Sequence, residues 1–446
     1  MSSQTMENCV EEKDVPMVKL PKGKRLFFVA ILYLLFCFDL AIRYGVNAIL
    51  PMIRTDLQLS GTEVGLLGSA VFLGMAIFVM PISFIGENKS QRRAISLCAV
   101  LWSGVTVICG MAGNAMTLIA ARLGVGAGNS AFAPLSTAML TDWFKKSSWG
   151  KALGFYNTAM VIGGALGMIL FAQLAAAFGW RATFYIIGGI SLVLSLLSLL
   201  LPDNKKLMAE QGAEAAKEAG EEVEEIAQKK LNVKDTAKLL LSNKALLTMC
   251  LAAGLAVMTL NISNTFIAFY YVDVMGMAQT TAANVTALVT PFSLIAYPLG
   301  GAILDKWYKK DRRARMFMPM ICIALAAVCF AGGYKLASIP LIIAANAIYG
   351  MGNTSFHTAA HELVPVWYKS VSYGIYVLFI QLLGAVGPTL GGVMVDALGV
   401  QNALTFSQVF FVISAAFLLI AGGLYTKFYN KAREEEAASG LCVETH

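Results

Sequence analysis

Charge is what this chain has least of. Asp, Glu, Lys and Arg make up 14% of its 446 residues, while 57% are hydrophobic. Ordinary soluble domains carry about 25% charged residues, so a water-covered surface of this length is excluded. Histidine is scarcer: His357, His361 and His446. Nowhere do three potential ligands fall at metal spacing, and neither metal nor cofactor is expected. The eight cysteines are scattered, without disulfide or metal spacing, and read as small apolar fillers. No Gly-Lys-Ser/Thr loop occurs, which argues against ATP hydrolysis, and no enzymatic activity is expected. The first 25 residues hold no short apolar segment ending in small residues, so a removable signal peptide is not expected.

Long apolar runs are present instead, and mean hydropathy is +0.67. A bilayer core of about 30 Å needs about 20 apolar residues per helix. Twelve runs meet that need, at 26–50, 64–85, 94–113, 116–140, 150–177, 180–201, 245–272, 281–304, 314–334, 340–364, 370–396 and 402–427. The sequence therefore predicts an all-α integral membrane protein. Residues 1–25 form an N-terminal segment, 26–201 a six-helix bundle, 202–244 a polar connector, 245–428 a second six-helix bundle and 429–446 a tail, whose segment KAREEEAASGLCVETH reads as disordered. With an even number of spans both termini share one side. Placing that side in the cytoplasm puts 29 of the 34 Lys and Arg on it, with Arg54, Arg181 and Lys335 outside and Arg43 and Arg122 within spans. That is the positive-inside asymmetry. It accounts for the formal net charge of +7 without nucleic acid and predicts a multi-pass protein of the cytoplasmic (plasma) membrane.

The two bundles repeat. Residues 126–150, GAGNSAFAPLSTAMLTDWFKKSSWG, align without a gap on 350–374, GMGNTSFHTAAHELVPVWYKSVSYG, at an offset of 224. Eight of the 25 positions are identical, Asn129/Asn353 among them. The register continues through Gly163/Gly387 and Gly167/Gly391, and Asn157 meets Gln381. Two parallel halves related by an axis along the membrane normal place a site between them near mid-membrane. A second repeated feature is a short basic loop, SFIGENKSQRRA after span 2 and GAILDKWYKKDRRA after span 8.

With these features the chain resembles the major facilitator superfamily over essentially its whole length. That resemblance implies twelve helices in two pseudo-symmetric bundles, and secondary transport by alternating access. It also implies that Glu87, Asp305, Lys306, Arg312 and Arg313, in the paired loops, act in gating. Span 1, FDLAIRYGVNAILP, is similar to the organic-anion branches, the organophosphate:phosphate antiporters and the anion:cation symporters, in placing Arg43 eight residues before Pro51. HELVP and VDALG resemble the tenth and eleventh helices of the organophosphate branch. The chain departs from these branches at three places: span 7 holds Asn261 but no arginine, Asn129 stands where the symporters have a carboxylate, and Asp39 precedes Arg43 by four residues instead of one.

Ionisable groups inside spans are costly and mark pathways or partners. Asp39, Arg43 and Asn47 are four apart and share a helix face. A guanidinium suits a planar oxyanion because it donates two parallel hydrogen bonds. Arg43, Arg122, Tyr44, Asn47, Asn129, Asn157, Asn353, Gln381 and His357 are thus candidate substrate contacts. Asp39 and His357 are candidates for proton coupling, His357 because imidazole titrates near neutrality. Span 10 has its midpoint near residue 352, so His361 and Glu362 lie about nine and ten residues inward, roughly 14–15 Å at 1.5 Å per residue, and are placed at the inner gate. The expected function is proton-coupled transport, by symport, of a small organic anion (a carboxylate, sugar acid or phosphate ester) by a monomer. An exporter of drugs or neutral metabolites and a transporter-like ligand sensor are the alternatives.

Overall fold

The computed structural model describes residues 18–88, 90–145, 148–208, 210–211, 242–365 and 369–438; the side chains of Glu87 and His357, and most of the connector, lie outside the described residues. The first half comprises α1 (Lys22–Leu57), α2 (Gly61–Asn88), α3 (Gln91–Gly110), α4 (Ala115–Asn129), α5 (Phe132–Asp142) and α6 (Trp149–Leu197). The second comprises α7 (Lys244–Phe269), extended by a π turn over Tyr270–Val274, then α8 (Gln279–Tyr308), α9 (Ala314–Lys335), α10 (Ile339–Glu362), α11 (Lys369–Leu398), α12 (Val400–Ser407) and α13 (Val409–Ala438). The start of α1 and the end of α13 define a terminal face; the opposite face is distal.

Eight helical stretches among the described residues are long and apolar enough to cross a membrane. One of them, Lys151–Met208, is 58 residues long, roughly 87 Å at 1.5 Å per residue, and makes two crossings. It turns back at Gly179, whose φ of 83° and ψ of 161° break the helix. Gly399, between α11 and α12, has φ 78° and ψ 162°. The two halves therefore turn their distal corners with the same backbone conformation, one that favours glycine. The α4–α5 pair, α8 and α10 supply the remaining crossings.

Two sequence expectations need correction. Span 4 is not one helix: it breaks at Ser130 and Ala131. Pro134 has no N–H for the Ser130 carbonyl, and its ring crowds that turn. Thr358 occupies the equivalent place in the second half, where α10 runs unbroken to Glu362. The tail segment KAREEEAASGLCVETH, expected to be disordered from Lys431, is instead helical as far as Ala438.

The halves meet along two seams, α2 against α11 and α6 against α8. At the first, a Cβ on Gly65 would collide with the Pro388 carbonyl, and one on Gly392 with that of Gly61. Glycine is what allows these backbones to touch. The Asp396 carboxylate of α11 receives the Gly61 N–H (2.6 Å), the Thr62 N–H (2.8 Å) and the Thr62 hydroxyl (2.6 Å). A side chain of one half thus caps a helix of the other, satisfying amides that a helix start leaves unpaired and meeting its positive dipole end. Ser69 and Thr389 bond at 2.7 Å farther along the seam. At the second seam the contact is apolar: Ala48, Ala172 and Ala283 pack together beside Met168. Ala172 matches Asp396 at the repeat offset of 224, so the polar cap belongs to one seam alone. Gln279 donates to the Ala48 carbonyl (3.1 Å), and Arg54 approaches Asp273 (3.8 Å). All these cross-half bonds lie in the distal half of the helices. Among the described residues, no hydrogen bond or ion pair fastens the halves at the terminal end.

Removing the trans cap should loosen this closure. In Asp396→Ala, spin labels on Leu57 and Leu398 are expected to show a larger population of widened distances, by about tenfold per 1.4 kcal/mol lost. An unchanged distance distribution would remove Asp396 from the closure.

Candidate functional site

The apolar helix α1 carries Arg43, Tyr44 and Asn47 on the face turned to the second half. They line a crevice of about 10 Å³ with Arg122 of α4 and, from α7, Asn261, Asn264 and Thr265. That volume suits about one water, so the closed distal seam has brought the halves nearly into contact here. Gly68 of α2 gives the Thr265 side chain its approach. The first half contributes two guanidiniums, the second amides and a hydroxyl.

Charge balance decides what this site can hold. Asp39 is fully buried and accepts from Arg43 Nη2 at 2.8 Å; its second oxygen has no partner in the protein. Arg122 is 2% exposed. Its hydrogen bonds go to the carbonyls of Ile42 and Arg43, both at 3.4 Å, and its Nε is unpaired. Among the described residues Arg122 has no carboxylate partner. Two buried cations against one buried anion leave one positive charge facing a crevice between the halves. Burying an unpaired charge is costly.

The other sequence candidates separate. Asn129 is buried with both amide atoms unpaired, at the α4 break, two turns from Arg122 towards the terminal face, and it does not line the crevice. Asn353 lies within reach of the Tyr297 hydroxyl on α8. Asn157 is exposed on α6, and Gln381 is half-buried on α11. Asp39 sits behind Arg43 and not on the crevice wall. Sequence reasoning passed over Asn264 and Thr265. The signal was there in NISNT, three polar side chains plus Asn261 in an otherwise apolar span.

The residues assigned to gating make their contacts within the second half. Glu362 pairs with Arg315 (3.0 Å) and accepts from the Tyr425 hydroxyl. Arg315 lies over the Tyr308 ring at 4.3 Å. Arg312 lies over Tyr429 (4.8 Å), and Arg313 Nε donates to the Thr426 hydroxyl (3.2 Å). His361 stacks on Tyr373 at 5.4 Å. Asp305 and Lys306 are exposed, and neither makes an ion pair among the described residues.

Comparison with known proteins gives a consistent result. The sequence model described as Major Facilitator Superfamily matches residues 29–388. The chain is 26% identical over 395 residues to a hexuronate transporter of Bacillus subtilis (strain 168), covering 86% of this chain and 87% of that one. It is 24% identical over 446 residues to a probable galactarate/D-glucarate transporter of the same organism, covering 95% and 98%. Among solved structures, a bacterial homolog of the human lysosomal transporter Spinster, in an inward-facing and unoccupied conformation, superposes with a TM-score of 0.78 at 20% identity, covering 92% of this chain and 99% of that one.

Proposed function

Because this chain belongs to the major facilitator superfamily, we propose that it carries a small organic anion across the cytoplasmic membrane by alternating access, coupled to protons, with both termini in the cytoplasm. The observation that carries the reading is the buried excess of guanidinium: Arg43 and Arg122 against Asp39. A cationic drug would meet an unpaired positive charge in the same space. Relatives named for hexuronate and for galactarate/D-glucarate favour a sugar acid over other carboxylates and phosphate esters.

The mechanism follows from the Asp39–Arg43 pair. Arg43 lies at the edge of the crevice while Asp39 holds one of its nitrogens from behind. A substrate carboxylate competes with Asp39 for that guanidinium. A proton on Asp39 frees Arg43 for a bidentate contact. Loading one proton and one monovalent anion together leaves the charge of the buried site as it was, so the loaded halves can move without stranding an extra charge. Arg122 supplies the second cation. The distal seam releases and the terminal end closes as the halves rock about the site.

Two substitutions test this in proteoliposomes. Arg43→Lys keeps the charge but loses the planar fork, and is expected to raise the KM for a sugar acid by about 10–100-fold; wild-type uptake would refute the anchor. Asp39→Asn is expected to abolish accumulation driven by a pH gradient while counterflow exchange continues. Undiminished accumulation would take Asp39 out of the coupling.

A further inference from the structure

A second cavity, of about 130 Å³, opens beside the Arg43 crevice and shares Asn264 with it. It lies among α7, α8, α9 and α10, and Met168 of α6 closes it from the first half. Its walls carry no ionised group. They carry three buried hydroxyls, Ser263 Oγ, Tyr271 Oη and Tyr334 Oη; those of Ser263 and Tyr334 lie within reach of each other, and that of Tyr271 makes no hydrogen bond within the protein. A buried hydroxyl without a partner is costly, and alanine or phenylalanine would pack there without that cost. Asn346 spends an N–H on the Ile342 carbonyl (2.9 Å), and Thr286 its hydroxyl on the Ala282 carbonyl (2.8 Å). Their oxygens remain as acceptors in the lining of the same cavity.

The backbone points the same way. Tyr271 belongs to the π turn that follows α7, an irregularity frequent at functional sites because it re-aims a side chain. Ser263 and Tyr271 are eight residues apart, so the polar wall runs roughly 12 Å along α7. The volume is about thirteen times that of the Arg43 crevice, room for a chain of several heavy atoms. A group that both donates and accepts, repeated along a short chain, matches this wall; a second charge or an alkyl chain does not.

We propose that this side cavity is the subsite for the hydroxyl-bearing tail of the transported anion. The first half reads the acid group and the second half reads the length and hydroxylation of the chain behind it, with Asn264 at the junction. The proposal rests on the anion reading of Arg43 and Arg122.

The test is uptake into proteoliposomes of a six-carbon sugar acid, galacturonate, and of three-carbon glycerate, by wild type, Tyr334→Phe and Ser263→Ala. Size-exclusion profiles show that each variant is folded, and Ser263→Ala serves should Tyr334→Phe not be. The expected result is a KM for galacturonate raised about 5–10-fold in each variant, with the KM for glycerate changed less than twofold. Equal changes for both acids, or none for either, would overturn the subsite and leave a cavity that holds only water. If wild type transports neither acid, the anion reading falls, and the subsite with it.

Discussion

Two guanidiniums stand beside one carboxylate in the apolar interior of the first half, and much of the structure follows from that imbalance. Arg122 reaches across to the carbonyls of Ile42 and Arg43, which ties α4 to α1. Asp39 holds Arg43 from the side away from the crevice. Removing one member of such a buried pair typically costs 3–5 kcal/mol, so the constellation is held by its own electrostatics as well as by packing. The remaining positive charge has one outlet, the narrow space against α7. The second half meets it with neutral amides and hydroxyls, and in this the two halves of the repeat have divided the work.

The fold class was legible because membrane solvation is a strong constraint: apolar runs of the right length, a basic side and a repeat at offset 224 suffice. Part of the site was legible for a local reason. Residues four apart on a helix share a face, which joined Asp39 and Arg43 correctly and brought Asn47 into the same crevice. What depended on distant chain was hidden. Asp396 and Gly61 are 335 positions apart, and nothing around VDALG says that its carboxylate caps another helix. The alignment of Asn129 with Asn353 was sound as sequence, but equivalence in a repeat does not guarantee equivalent surroundings. Pro134 breaks the helix just beyond Asn129, while Asn353 lies within continuous α10.

The terminal face shows the complementary arrangement. Glu362 binds both Arg315 and Tyr425, so these groups are satisfied within the second half. They stiffen that end of the bundle instead of reaching across to the first half. Asp305 and Lys306 are helical, at the end of α8 and not in the loop that the sequence suggested, and both are exposed. Closure at one end and self-sufficiency at the other describe a single conformation in which the binding space has been squeezed from the distal side.

The difference between the two seams has a mechanical consequence. Water can take over the bonds of the Asp396 carboxylate and of the amides it holds, so that edge can part at modest expense. The alanine contact of Ala48, Ala172 and Ala283 gains nothing from water and resists wetting. In the proposed alternating access the first edge would serve as the latch and the second, which keeps the Gln279 bond to the Ala48 carbonyl beside its alanines, as the hinge. A molecule moving in that way would swing like a door, about a line displaced from its pseudo-symmetry axis, and the entrance it uncovered would be lopsided, widest beside α2 and α11.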